Sequence, residues 1–400
     1  MSLDLNTGVG VSVLTNSYKA GAEAASKAVE QLGKKPDTLI IFAAPKFEQQ
    51  KMVNGIKSVT KNAPMIGGTT AGEISTYGLS VNSVVVMALN SKDIKFYVGI
   101  GKNIAKSEVN AGKQLAKSVL KKASKKTANT LLMLPDGLAG DGFSVIRGVQ
   151  KVLGEDFEIV GGSLGDESDF KHTYQYYNGK VYENAVVGML ICGGNKVKTA
   201  TGVRSGWESV GNRFKCTEAK GNVVYKFENK RALDFYRELL GKERGKKLPA
   251  IVLEYPVGLI DERAKIEGYD YFQIRCPVGI NEKEGSVNFA ASIPEGKEVT
   301  LTYSSRSTII NGSKLSATQA KKTLEGKPRL IMMFSCVARK MVLGRRTNEE
   351  VNLVKQVFGK DVPIVGFYTY GEIGPIDKRV PTLRQTRWHN ETVVLYVLGE

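Results

Sequence analysis

Histidine is nearly missing from this chain of 400 residues, which has two, His172 and His389. Two imidazoles exclude a histidine-rich metal centre and a catalytic site built on several histidines, so any chemistry must use acids, Arg, Lys, Cys or Tyr. Cysteine is almost as sparse. Cys192, Cys216, Cys276 and Cys336 lie far apart with no CxxC pair, which argues against a zinc knuckle or a thioredoxin-type motif and points to reduced thiols. No apolar run approaches the roughly 20 residues that span a bilayer. The N-terminal stretch MSLDLNTGVGVSV has no basic n-region and no apolar core followed by a small-residue cleavage site. A cytoplasmic protein without a membrane span is therefore expected. No motif calls for a metal or a cofactor.

What is abundant is lysine. With 57 Lys and Arg against 40 Asp and Glu, the formal charge is +17, which raises polyanions as partners if the charge is clustered. The lysines concentrate in helix-like stretches such as GKQLAKSVLKKASKKTAN (112–129) and ELLGKERGKKLP (238–249), where they fall on polar faces or in turns. No basic run is interleaved with aromatics, so a solvated surface is the reading and nucleic acid is not expected as a partner. Hydrophobic residues make up 42% of the chain and charged residues 24%, an ordinary globular balance, long enough for two or three domains.

A repeat runs through the chain. VGVSVLTNSYKAGAEAASKAVEQL (9–32) resembles YVGIGKNIAKSEVNAGKQLAKSVL (97–120): an alternating strand, a polar loop, and a helix with small and apolar residues at i, i+3, i+4 and i+7, with Gly21 matching Gly112. TLIIFAAP (38–45) and TLLMLPDG (130–137) follow as buried strands, then amphipathic helices, then SVVVMALN (83–90) and AVVGMLIC (185–192) as closing strands. Two β-α-β-α-β-β units result, spanning about 9–92 and 97–195. The segment around 300–400 repeats most of the plan, while residues 196–302 break it and read as an inserted or degenerate unit. The fold class is α/β, with mixed sheets packed against helices in two domains.

Each unit also carries a short apolar run, a glycine-rich turn and an acid: PMIGGTTAGE (64–73), EIVGGSLGDE (158–167) and PIVGFYTYGE (363–372). The turns deliver Glu73, Asp166 and Glu372 to the C-terminal ends of strands, where open α/β sheets place their ligands. The plainer reading is that glycine supplies positive φ and the acid caps the next turn. None of the three is a phosphate loop, because GGTTAGE lacks the lysine of GxxxxGK[ST]. FSCVARK (334–340) is the strongest local candidate: Cys336 ends a buried strand and Arg339 lies three residues beyond. A guanidinium there could grip a ligand carboxylate, or could activate the thiol. Other loops carry weaker signals. PDGLAGDGFS (135–144) and the turn before His389 read first as plain turns, and HTYQYYNGKVY (172–182) as a hairpin with alternating tyrosines.

IGGTTAGEI, IVGGSLGDE, GNVVYKFENKRAL, IRCPVGINEKEGSVNFAASIPEGKEVTL, FSCVARK, PIVGFYTYGEIGP and HNETVVLYVL, in that order, resemble the FIST family over nearly the whole chain, with an N-terminal domain at 8–222 and a C-terminal domain at 223–400. The resemblance implies a sensory module of intracellular signal transduction that binds a small ligand such as an amino acid. Relatives are often fused to chemotaxis, histidine kinase, diguanylate cyclase or F-box outputs. Here the family region fills the 400 residues, so a separate signalling output protein is the expected partner. The motif positions carried over are Gly67, Gly68, Gly72 and Glu73 in the first domain, and Cys336, Arg339, Gly371 and Glu372 in the second. The leading expectation is a cleft between units in which Arg339 holds a carboxylate, Glu372 and Glu73, with Asp166, face the amine, and glycine N–H groups close the rim. The rivals are an enzyme using Cys336 or the acidic turns, and a protein-interaction scaffold. A thiol reactive across pH favours the first, and a co-purifying partner the second.

Overall fold

The computed structural model describes residues 3–248, 251–266 and 269–400. The first unit comprises β1 (Leu5–Ser12), α1 (Ser17–Leu32), β2 (Thr38–Ala43), α2 (Gln49–Thr60), β3 (Met65–Thr69), β4 (Glu73–Ser75), β5 (Gly78–Ser80) and β6 (Val84–Ser91). The second repeats it as β7 (Lys95–Lys102), α3 (Glu108–Leu120), β8 (Ala128–Pro135), α4 (Gly142–Leu153), β9 (Glu158–Gly162), β10 (Gln175–Tyr177), β11 (Lys180–Tyr182) and β12 (Ala185–Cys192). The third opens with β13 (Lys198–Arg204) and is then interrupted. Its interruption holds β14 (Glu208–Lys220), β15 (Val223–Phe227), β16 (Lys230–Arg231), α5 (Ala232–Gly245), β17 (Val257–Ile266), β18 (Tyr269–Arg275), β19 (Pro277–Asn281), β20 (Ser286–Phe289) and β21 (Glu298–Tyr303). The third unit resumes with α6 (Arg306–Thr323), β22 (Pro328–Cys336), α7 (Val337–Leu343), α8 (Asn348–Phe358), β23 (Ile364–Thr369), β24 (Glu372–Gly374), β25 (Arg387–His389) and β26 (Val393–Gly399).

The expected α/β class with mixed sheets is what the chain forms, and the strand order explains the glycine-acid turns. Three sheets run β1-β6-β2-β3-β10-β11, β7-β12-β8-β9-β24-β25 and β13-β26-β22-β23-β4-β5. Among the described residues only β2–β3, β8–β9 and β22–β23 are parallel pairs. In each sheet four strands belong to one unit, and the outer hairpin is lent by another. β10 pairs with β3, β24 with β9, and β4 with β23. The chain therefore changes sheets at every glycine-acid turn, and the three turns meet where the sheets meet. Ala71 N–H donates to Tyr368 O at 3.0 Å, Gly165 N–H to Thr69 O at 3.1 Å and Ser163 N–H to Gly371 O at 2.9 Å, a ring of backbone bonds joining all three.

Inner faces of the three sheets share one apolar core, including Phe42, Ile66, Met87, Leu134, Met189, Phe334, Phe367 and Tyr396. Helix pairs α1/α2, α3/α4 and α6/α8 cover the outer faces with separate cores. The glycines matched in the repeat have one physical purpose. A Cβ on Gly21 would overlap the Met52 carbonyl oxygen, and one on Gly112 that of Val145, so each lets two helix backbones touch. Gly21→Ala is expected to lower stability by ~1–3 kcal/mol, although alanine improves helix propensity by about 1 kcal/mol. Urea denaturation checks this, and an unchanged midpoint would mean that the helices can part freely.

The third unit begins earlier than the sequence suggests. β13 pairs along its whole length with β26, so the first strand is Lys198–Arg204. TYSSRST near residue 300 instead contributes its opening to β21, which belongs to the interruption. That segment forms its own antiparallel sheet, β18-β17-β21-β14-β15-β20-β19, with β16 on β15. Around α5 it buries Phe214, Phe227, Tyr236, Val257, Phe289 and Val299.

Candidate functional site

A cleft of about 1720 Å³ opens between the second unit, the inserted sheet and the third unit. One wall is the loop after β8, with Asp136, Gly140 and Asp141; another is the inserted sheet, with Arg275, Cys276 and Ala290; the third is Cys336, Ala338 and Trp388. The loop PDGLAGDGFS, which reads in sequence as a plain turn, is thus a cleft wall. Asp136 and Asp141 hold it in shape. Asp136 Oδ1 accepts from the Leu138 and Ala139 N–H groups at 2.9 and 3.1 Å, and Asp141 caps α4 through Phe143 and Ser144 N–H at 3.2 and 3.0 Å.

The three turn acids are all buried and do not share a pocket. Each accepts from its own unit's loop. Glu73 takes the Thr70 hydroxyl at 2.6 Å on one oxygen and Ser83 N–H and hydroxyl, at 3.2 and 2.6 Å, on the other. Asp166 accepts from Phe170, Lys171 and His172 N–H at 2.9, 2.7 and 3.0 Å, and from the Tyr370 hydroxyl. Burial pushes Asp166 up, but the Tyr370 hydroxyl and the backbone donors outweigh it and hold the carboxyl below its ordinary value. For Glu73 burial wins over its hydroxyl partners and lifts the pKa to about 7.

The third acid differs. Glu372 Oε2 accepts from Thr392 N–H at 3.0 Å and hydroxyl at 2.8 Å, matching Glu73 and Ser83. The Thr70 counterpart, Thr369, turns its hydroxyl to Gly371 O at 2.7 Å instead, and Glu372 Oε1 is left without a partner. Beside it lies the Cys336 thiol, and behind them Glu391, held at φ +53° with neither carboxyl oxygen receiving a hydrogen bond from nitrogen or oxygen. A positive φ on a non-glycine residue with a buried acid is strain of the kind that collects at functional sites. Burial lifts Glu372 to about 8, against the Thr392 bonds, the Cys336 thiol and the Arg339 charge that pull it down. Glu391 is also lifted to about 8 by burial, opposed by the Cys276 thiol, raised further by Glu372 and lowered by Arg339. Asn390, which lines the cleft, has a buried, unpartnered Oδ1.

Arg339 is not in this group's reach as a ligand donor. It is fully buried, donating to Ser335 Oγ at 3.1 Å, Ile309 O at 2.9 Å, Ser313 Oγ at 2.8 Å and Glu350 Oε2 at 2.7 Å, and to Ser205 O. The guanidinium expected to take a ligand carboxylate is occupied by an internal partner. Gly67 and Gly68 lie under Ile41 O and Leu164, and Gly72 (φ +131°) beside Lys340 and Tyr368; all three are packing positions. Gly371 makes room for the Trp388 ring, which a Cβ would overlap, and so shapes the cleft wall indirectly. His389 is buried with Nε2 at 2.9 Å from Gly374 O, and burial lowers its pKa to about 4.

The structure thus places Cys336 on the cleft lining with Glu372 and Gly371 close behind it, and sets beside them Cys276, Asn390, Glu391 and Trp388, which the sequence reading did not single out. The available signal was HNETVVLYVL: an acid set directly before an all-apolar strand has nowhere to go but inward. Both cleft thiols are held protonated, mainly by burial and then by the neighbouring acids, Glu391 for Cys276 and Glu372 for Cys336. Alkylation of the folded protein at about pH 7 is therefore expected to be far slower than that of a free cysteine, whose pKa is about 8.5. Fast labelling of Cys336 in a mass-spectrometric time course would restore it as a nucleophile.

The profile of the FIST N domain matches residues 37–230 and that of the FIST C domain residues 232–375. The chain belongs to the FIST family. FIST domains are sensory domains of signal transduction, and both are present here. Uncharacterized protein Rv0628c of Mycobacterium tuberculosis is 21% identical over 380 residues, covering 93% of this chain and 95% of its own. Uncharacterized protein MJ1623 of Methanocaldococcus jannaschii is 23% identical over 396 residues, covering 90% and 74%. A solved cyanuric acid hydrolase aligns over 99% of this FIST chain and 100% of its own at 8% identity and a TM-score of 0.36, a likeness too slight to bear on activity. Among the described residues no helix is long and apolar enough to cross a membrane, and no three His, Cys, Asp or Glu side chains are placed to hold a metal ion.

Proposed function

We propose that this FIST protein is a cytoplasmic sensor that binds a small ligand, an amino acid or a compound of similar size, in the cleft beside Cys336, and passes occupancy to a separate signalling protein. The observation that carries the reading is the departure of the third turn from the first. Where Glu73 is fully satisfied, Glu372 is left with an open oxygen next to a thiol, an unpartnered Asn390 and an unpartnered Glu391. Buried polar groups without partners in a concave site are what a ligand completes. The cleft volume of about 1720 Å³ exceeds the roughly 300–1,000 Å³ of ordinary small-molecule sites. Closure of the inserted sheet onto the body would both fit the ligand and supply the change a partner reads.

Calorimetric titration with the amino acids, run alongside Trp388 fluorescence in a Trp207→Phe background, tests this. Binding by at least one, lost when Ala338→Leu fills the cleft wall, is the expected result. No heat and no fluorescence change with any of them, or binding that Ala338→Leu leaves intact, counts against the cleft.

A further inference from the structure

Resting on the reading of the cleft as a ligand site, the geometry also points to which end of the ligand is recognised. Four oxygen atoms at or just behind the floor receive no hydrogen bond from nitrogen or oxygen: Asn390 Oδ1, Glu372 Oε1, and Glu391 Oε1 and Oε2. Asn390 Oδ1 is an acceptor, and each carboxyl presents only acceptors once it has lost its proton. The guanidinium that a carboxylate would seek, Arg339, is bound to Glu350 and to two backbone carbonyls. Arg275, on the inserted-sheet wall, donates to Ser292 O at 2.8 Å, Ile274 O at 3.1 Å and Gln273 Oε1 at 3.0 Å. Arg147, Lys297 and Arg387 also line the cleft, but the floor itself, rich in oxygen and with Arg339 and Arg275 engaged, suits a group that brings donors and positive charge.

We infer that the cleft recognises a primary ammonium group, held by Asn390 and by the carboxyls of Glu391 and Glu372 where Cys276 and Cys336 line the floor. The thiols stand between cleft and acids: Cys276 lies against Glu391 and Cys336 against Glu372, and of these four only the two thiols reach the cleft lining. The strained backbone at Glu391 (φ +53°) holds its acid in position without a partner, a cost that ligand binding offsets.

Charge balance follows. Around Glu391 stand the Cys276 thiol, the Tyr236 hydroxyl on α5, Cys336 at the end of β22, Arg339 on α7 and Glu372 on β24, whose strand partner is His389. The two acids hold their protons near neutrality, each being raised to about 8. An entering ammonium keeps its own three hydrogens and stabilises one carboxylate, so one proton leaves to solvent. Binding must then tighten with rising pH until that acid is ionised in the free protein, by up to about tenfold per pH unit for one proton released.

The test is calorimetry on the full chain with n-butylammonium chloride and with sodium butyrate at matched ionic strength, at about pH 7 and pH 8, in buffers of differing ionisation enthalpy. Expected are binding of butylammonium but not butyrate, affinity about five- to tenfold higher at the upper pH, and release of about one proton. Glu391→Gln and Asn390→Ala each weaken butylammonium at least about tenfold, the loss of one charge-assisted hydrogen bond, while circular dichroism and thermal melting verify that both variants are folded. Butyrate binding as well as butylammonium, a pH-independent affinity, or a folded Glu391→Gln that binds like the parent overturns the inference. The cleft reading fails separately. If amino acids bind and tolerate N-acetylation but not amidation of the carboxylate, the cleft stands and ammonium recognition falls. If no amino acid, butylammonium or butyrate produces heat or moves Trp388 fluorescence, both fall.

Discussion

Arg339→Ala is expected to cost about 3–5 kcal/mol of stability, the usual result of leaving one member of a buried ion pair without the other. Set against a total of roughly 5–15 kcal/mol for a folded domain, this brings the third unit close to unfolding at ambient temperature. Its partner Glu350 is equally buried and accepts from Arg339 at 2.7 Å, Ser313 Oγ at 2.8 Å, Ser335 Oγ at 3.0 Å and the Tyr368 hydroxyl. Hydroxyl donors alone do not neutralise a carboxylate in such surroundings. The guanidinium does more than pair. It donates to Ser205 O, just after β13, and to Ile309 O, in the first turn of α6, which are the points where the chain leaves for the inserted sheet and returns from it. Arg339 therefore clamps the root of the insertion. Urea denaturation of Arg339→Ala against Arg339→Met/Glu350→Leu separates the effects, because removing both charges with apolar replacements is often near neutral. A single variant as stable as the parent sinks the clamp, and any loss of ligand binding in it must be read together with its melting curve.

That residue illustrates what was legible in the sequence. Local periodicity gave the helices, the buried strands and the duplication, because amphipathic spacing and short apolar runs are properties of neighbouring residues. The destination of each hairpin was not legible. A turn such as GTTAGE closes equally well onto its own sheet or onto another, and only the packed core decides that β4 joins β23 and β24 joins β9. The same limit hid β13. KTATGVR is weakly apolar, and its helix α6 follows a hundred residues later. One overlooked signal was there: a Cβ on Gly10 would overlap Ala24 O, one on Gly101 would overlap Ala111 O, and one on Gly202 would overlap Ser316 O. A glycine in each unit's opening strand meets that unit's first helix, and Gly202 marks the third copy. For the site, sequence located acids and an arginine at strand ends but not their direction. Glu73 and Asp166 turn into their own loops and Arg339 into Glu350, while the open oxygens gather at Glu372, Asn390 and Glu391.

Stability is expected to fall as pH rises from about 5 to 8, the reverse of ordinary acid denaturation. Glu73, Glu372 and Glu391 have folded pKa values raised from 4.5 to about 7, 8 and 8 by burial. A group whose folded pKa is raised binds its proton more tightly in the native state, so its stabilising contribution is complete below the unfolded value and is lost as pH climbs through the folded one. At about 1.4 kcal/mol per pH unit per group, Glu391 alone accounts for up to about 4 kcal/mol between pH 5 and 8. His389 acts oppositely. Its pKa, lowered from 6.5 to about 4, removes stability as pH falls through that range, as does the lowered Asp166 at more acid pH. Three acids outweigh one histidine, so the optimum should lie at or below about pH 5 rather than near neutrality. Glu391→Gln removes a titrating group while keeping an uncharged side chain of the same shape. It is expected to flatten the slope and to raise the urea midpoint at pH 8, where the parent carries a buried carboxylate. A parent stability that stays level from pH 5 to 8, or a Glu391→Gln variant less stable than the parent at pH 8, contradicts the burial of a neutral acid. Saturating butylammonium should act like the substitution, because an ammonium beside one ionised acid removes the cost of its charge and flattens the slope by about that one group's share, while Glu73 and the second acid continue to titrate.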